Sequence, residues 1–377
     1  MLWKPNARVE VSITLEDGLK LSTFCKRTKG KIDKDDYEFL LNLAAEAAAS
    51  LGSPQEIPFP LIEFGSYAVA ERIKSLSGID GDVYSTIMFM RSLVHETYEN
   101  QRLSYGLILS NRIDGTFPLS ESFENKRLKR LTDGFATAIV LDQWQRIVDF
   151  VHLDVPEREA LLLTRRPWWC SPIATKSDAI SGVGLALIRS GDLVVINRGQ
   201  LLFSQRAGRW QVWNHRAILA TLRDSWHGSG PRNNVNEILV CLYHVALDLS
   251  FRRSGGLLVI LHSEKSLNAL LMSRADGLGS GRRGSGEQAI DKILRKKTVR
   301  YIDRRILADI ASLDGALIVD NTGKVLAYGA MTKPASSIYQ GARAKAAVAA
   351  SRKGLVIKIS SDGNISFFAK GENFMNI

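Results

Sequence analysis

The run SRADGLGSGRRGSG at 273–286 sets two adjacent arginines among glycines and serines, residue types suited to closing over phosphates. Its spacing is GxGxxG-like. A dinucleotide fingerprint needs that spacing between a strand and a helix of a βαβ unit, followed by an acidic residue. That context is missing, so a mobile surface loop is the better reading. Two clusters place tryptophan beside arginine: Arg206, Arg209 and Trp210, and the run Arg165-Arg166-Pro167-Trp168-Trp169. An indole of this kind stacks on a nucleic-acid base, yet a packing tryptophan beside solvated arginines is the stronger expectation for both. Cys25, Cys170 and Cys241 stand far apart with no CxxC pair. That pattern argues against a disulfide framework or a cysteine-rich zinc site and for reduced, mostly buried thiols. The histidines lack ligand spacing such as HExxH, and no GxSxG elbow, P-loop or paired-carboxylate motif occurs.

The elements that would position such groups come from a chain of 377 residues, long enough for two or three domains. Hydrophobic residues make up 45% and charged residues 24%, a globular balance that needs no covalent staples. The net charge of +11 favours anionic partners: nucleotides, nucleic acid or anionic lipid. Met1-Leu2-Trp3-Lys4-Pro5 opens no signal pattern, and no apolar run approaches the ~20 residues that span a bilayer. The expectation is a cytoplasmic protein without a membrane partner.

Periodicity predicts helices over 35–50 and 82–98, and a strand over 104–110 weakened by Gly106. Residues 183–213 read as a β-meander of short apolar runs joined by glycine turns. The cluster WHGSGPRNN at 226–234 reads as a linker. An amphipathic helix follows, with Val235, Ile238, Leu239, Leu242, Ala246 and Leu249 on one face, and His244 as a surface or satisfied histidine. Gly256–Leu261 is an apolar strand. Residues 287–310 read as one strongly basic helical stretch, for which nucleic-acid binding is the weaker alternative to a solvated face. The fold class expected is α+β: a C-terminal domain with a central mixed sheet flanked by helices, preceded by an α+β region containing the meander. Expected domains are 1–150, 151–230 and 231–377.

The segment 313–368 reads strand, turn, strand, loop, helix, strand, turn, strand. Asp320-Asn321-Thr322-Gly323 and Ser361-Asp362-Gly363 form its turns, and Gly354 stands as a C′ glycine after the alanine-rich helix 342–352. Asp314-Gly315-Ala316 opens its first strand and Gly341-Ala342-Arg343-Ala344-Lys345-Ala346-Ala347 opens its helix. With Gly255–Leu261 and the closing strands Val356–Ser366, this order resembles the diadenylate cyclase domain of the DisA/CdaA type over about residues 235–372.

The resemblance implies a nucleotide site at Asp314, Gly315, Ala316, Gly341, Ala342, Arg343, Lys345, Ser360 and Ser361. In that family two domains face each other, each with one ATP, and form cyclic di-AMP with Mg or Mn. Asp314 would hydrogen-bond the attacking 3′-hydroxyl or bind metal, with Asp362 as a second metal ligand. Gly315 would admit close backbone approach. Gly341 and the helix N-terminus would offer N–H groups to phosphate. Arg343 would grip phosphate oxygens bidentately and Lys345 would add a point charge. Two positions depart from the family: Ala344 stands where it has histidine, and Ser361 where it has glutamate. Those losses resemble the divergent DACNV subgroup, described as probable nucleotide sensors, whose preceding segment is similar to the meander here. The expectation is a sensor of ATP or a cyclic dinucleotide, within bacterial nucleotide signalling. Its N-terminal region would contact a protein partner or a second copy. The alternatives are an active diadenylate cyclase and a basic nucleic-acid-binding protein.

Overall fold

The computed structural model describes residues 8–14, 20–26, 64–122, 131–154, 166–228, 232–278, 285–294, 297–335 and 339–377. The helix expected at 35–50 lies outside them. The fold is α+β, and internal contacts divide it into two units with a boundary between Asn214 and His215. No described helix is long and apolar enough to cross a membrane.

The N-terminal unit contains a hairpin of β1 (Arg8–Thr14) and β2 (Lys20–Lys26), and an eight-stranded sheet. Its strands are β3 (Tyr105–Leu109), β4 (Phe117–Pro118), β5 (Thr137–Leu141), β6 (Arg146–His152), β7 (Val183–Leu187), β8 (Leu193–Asn197), β9 (Gln200–Arg206) and β10 (Arg209–Val212). Their order across the sheet is β10-β9-β8-β7-β3-β5-β6-β4. The meander is the run β7 to β10, antiparallel throughout. Alternate strand residues, among them Leu107, Ile139, Leu185 and Val195, form one core with helices α1 (Phe64–Ser77) and α2 (Val83–Ser92). Helix α3 (Ser171–Ala179) packs across β7 and β8.

Helix α2 is shorter than the expected 82–98. It ends in one 3₁₀ turn, and the chain reverses through Glu99 and Asn100, both at positive φ, so that Tyr98 pairs with Gln101. Trp168 and Trp210 pack as expected, but Arg166 and Arg206 beside them are not solvated. Trp210 lies against Gly65 and donates to Ser66 Oγ at 3.1 Å, and Trp168 meets Phe135 edge-on at 5.8 Å. Arg206 pairs with the buried Asp192, and Arg166 is itself buried, donating to the Gly199 carbonyl.

The C-terminal unit starts with α4 (His215–Asp224) and α5 (Arg232–Phe251). Its six-stranded sheet comprises β11 (Gly256–Leu261), β12 (Ala316–Val319), β13 (Val325–Ala330), β14 (Gly354–Ile359), β15 (Ile365–Ala369) and β16 (Glu372–Asn376). The order is β13-β12-β11-β14-β15-β16, antiparallel except that β11 and β12 are parallel. Helix α8 (Ala342–Ser351) shares a core with Val259, Ile318, Val356 and Phe368. Helices α6 (Ser285–Leu294) and α7 (Arg304–Ala311) complete the unit, α7 packing on α5. The expected face of α5 is buried, and so are Tyr243, His244 and Val245, which makes this an interior helix rather than an amphipathic one.

Three local expectations are corrected. Residues 287–310 form two helices, because Thr298 bridges Lys324 and the Val299 amide donates to Gly323, anchoring the segment between them to the β12–β13 turn. The face is also less basic than its composition: Arg304 is buried against Asp248, Arg300 pairs with Glu237 and Arg305 with Asp303. Gly354 is not a left-handed cap. It opens β14, where a Cβ would stand 1.9 Å from the Ile260 carbonyl oxygen. Of the thiols, Cys170 is buried, and burial pushes half-buried Cys241 up to about 12.

Candidate functional site

The register of the C-terminal sheet decides which sequence motifs meet. Parallel pairing sets Leu258 beside Leu317, and antiparallel pairing sets Gly256 beside Ile359. The N-terminal ends of β11 and β12 and the C-terminal end of β14 therefore share one sheet edge. Helix α8 packs antiparallel to the strand that follows it, so its N-terminus returns to that same edge. Asp314-Gly315, Gly341–Lys345 and the turn 360–364 are all brought there from separate parts of the chain.

Each position has a local reason. Gly315 has φ of 106°, and a Cβ there would lie 2.4 Å from the Gly329 carbonyl carbon on β13. Only glycine fits that approach. Ala316 is buried in β12. The exposed Asp314 carboxylate accepts the Gly315 amide at 3.1 Å. Gly341 caps α8 at φ of 91°, and Ala342 and Lys345 are exposed on its first turn. Ala344 faces inward at 6% exposure.

Arg343 bridges two of these segments. One terminal nitrogen lies 3.5 Å from Asp314 Oδ1, with the guanidinium 40% and the carboxylate 80% exposed. The guanidinium lies over Gly255, where a Cβ would be 2.1 Å from its other terminal nitrogen.

The turn after β14 is closed by its own side chains. The Ser360 hydroxyl donates to Asp362 Oδ1, the Asn364 amide donates to the same oxygen at 3.2 Å, and Asn364 Nδ2 donates to Oδ2 at 2.7 Å. The Ser360 hydroxyl bond, with those from Asn364, holds the Asp362 carboxyl below the ordinary aspartate range. Arg253 donates to the Asp362 carbonyl and Ser250 to that of Gly363, fastening the turn to the end of α5. Ser361 is exposed. Among the described residues no three His, Cys, Asp or Glu side chains group to hold a metal ion.

The sequence reading placed Gly255 only in the strand 255–261, not in the site, and missed Arg253 and Ser250. For Gly255 a signal existed: a Gly-Gly pair before a fully apolar strand marks close approach of another group. Ser250 and Arg253 act through long-range contacts that no local pattern encodes. Of the loop 273–286, residues 279–284 lie outside the described set. Its first part is ordered by Gly277 bridging Ala327 and by Asp276, which accepts the Met331 amide at 3.0 Å.

No protein-family model and no curated protein matches the chain. Among solved structures it is similar to a double mutant of DacA from Staphylococcus aureus, at 19% identity and TM-score 0.28, over 38% of this chain and 89% of that one. It is also similar to a structure described as a hypothetical membrane spanning protein from Bacillus cereus, at 18% identity and TM-score 0.28, over 43% and 74%. At these values neither likeness bears on function.

Proposed function

We propose that the C-terminal unit binds a phosphorylated nucleotide, ATP or a cyclic dinucleotide, at the sheet edge formed by β11, β12 and the N-terminus of α8, and does so as a sensor. The observation that carries the reading is the seating of Arg343. Its guanidinium lies over Gly255 beside Asp314, at the exposed first turn of α8. A guanidinium, the N–H groups of a helix N-terminus and glycine backbone together suit phosphate oxygens.

Binding without turnover is favoured by what surrounds that arginine. Ala344 has no imidazole and faces inward, and Ser361 has no carboxylate. The Asp362 oxygens are taken by Ser360 and Asn364, and Asp314 faces a guanidinium. These donors do not fit a protein-held divalent cation, so no step is routed through one. Phosphoryl transfer depends on such charge neutralisation, and a single missing contact raises a barrier by about 3–4 kcal/mol.

The test is calorimetry of the full chain with ATP and with cyclic di-AMP, beside a product assay with ATP and Mg²⁺ or Mn²⁺. Saturable binding with no cyclic di-AMP formed is the expected outcome. Product that disappears in Asp314→Asn would establish an active cyclase instead, and no binding of either nucleotide would remove the proposal.

A further inference from the structure

Two features place Arg343. Below it, position 255 carries no side chain, and even a methyl there would collide with the guanidinium at 2.1 Å. Beside it, Asp314 Oδ1 lies 3.5 Å away. A carboxylate and a phosphate present the same paired anionic oxygens to a guanidinium. Two such anions cannot both face one half-exposed cation without repelling each other.

We infer that Asp314 is an internal competitor for the ligand's phosphate at Arg343, with Gly255 as the floor whose missing side chain leaves the guanidinium its room. The inference rests on the nucleotide-binding reading and fixes the sign of one residue within it: Asp314 opposes anion binding. The phosphate must displace the carboxylate from Arg343, and the free carboxylate then repels it. Gly255 is a positioning residue. The atom in its way is the far end of a flexible side chain, so an added methyl moves the guanidinium and leaves the backbone in place.

The experiment is calorimetric titration of the full chain with ATP in EDTA. Asp314→Asn keeps the Oδ1 acceptor for the Gly315 amide and removes only the charge. It is expected to bind ATP about two- to fivefold more tightly than the unmodified chain, the factor that an exposed ion pair represents. Gly255→Ala is expected to weaken ATP binding while its thermal midpoint stays near that of the parent. An Asp314→Asn affinity that is unchanged or weaker overturns the inference, as does ATP binding that appears only on adding Mg²⁺. A Gly255→Ala chain that binds as the parent does removes the floor. If the unmodified chain binds ATP in neither buffer, the nucleotide-binding reading itself fails.

Discussion

Asp314 and Asp362 stand at the same sheet edge and are used differently. Asp362 is a turn residue. It takes hydrogen bonds from the Ser360 hydroxyl and from Asn364, and its pKa is depressed as a result. A carboxyl whose folded pKa lies below its unfolded value contributes stability above the unfolded pKa, and that contribution is lost as pH falls through the folded pKa. Ser360→Ala should raise the Asp362 pKa toward the ordinary value, so the loss begins at higher pH. The carboxyl ¹³C titration of Asp362 measures this directly, and an unmoved midpoint would show that the Ser360 bond is not its cause. Asp314 and Arg343 were both legible as candidate site residues through the motifs that resemble the diadenylate cyclase domain. Their proximity was not, since 28 intervening positions separate them and a register-dependent sheet lies between.

Among the described helices, α5 and α7 share a buried ion pair. Arg304 Nε lies 2.6 Å from Asp248 Oδ2, with 3% and 0% of their side chains exposed, and a second guanidinium nitrogen donates to Oδ1 and to the His244 carbonyl. Removing one partner leaves the other charge buried, which costs about 3–5 kcal/mol. Asp248→Ala should therefore lower unfolding stability in urea by about that amount, and Asp248→Leu with Arg304→Met should recover most of it. A loss under 1 kcal/mol for the single change would mean that water reaches the site. In the sequence, Arg304 read as one more positive charge on a basic face. Helical periodicity marks which residues share a face, but not whether that face meets solvent or an acidic partner on another helix.

Across the whole molecule, the boundary at His215 assigns α4 to the C-terminal unit. His215 Nδ1 lies 2.7 Å from the Tyr243 hydroxyl, and α4 packs on α5. A 215–377 fragment should therefore unfold cooperatively and at a higher midpoint than a 231–377 fragment, which lacks that helix. Thermal circular dichroism of the two compares them, and equal midpoints would place α4 outside the folding unit. The composition of 226–234 suggested a later boundary, because glycine, serine and proline mark a break in regular structure wherever it falls, inside a unit or between two. Here Trp226 packs edge-on against His262 at 4.7 Å, which places Trp226 in the C-terminal unit.

The sequence by itself determined the α+β class, the meander, the apolar strands and the turns at 320–323 and 361–363. These depend on short-range periodicity and on the backbone freedom of particular residues, which neighbours in the chain encode. Tertiary structure alone decided that α5 is interior, that the 287–310 segment breaks in two, that Gly354 serves close approach rather than capping a helix, and that Arg343 meets Asp314. These depend on strand register or on which surfaces cover one another, neither of which neighbours in the chain encode.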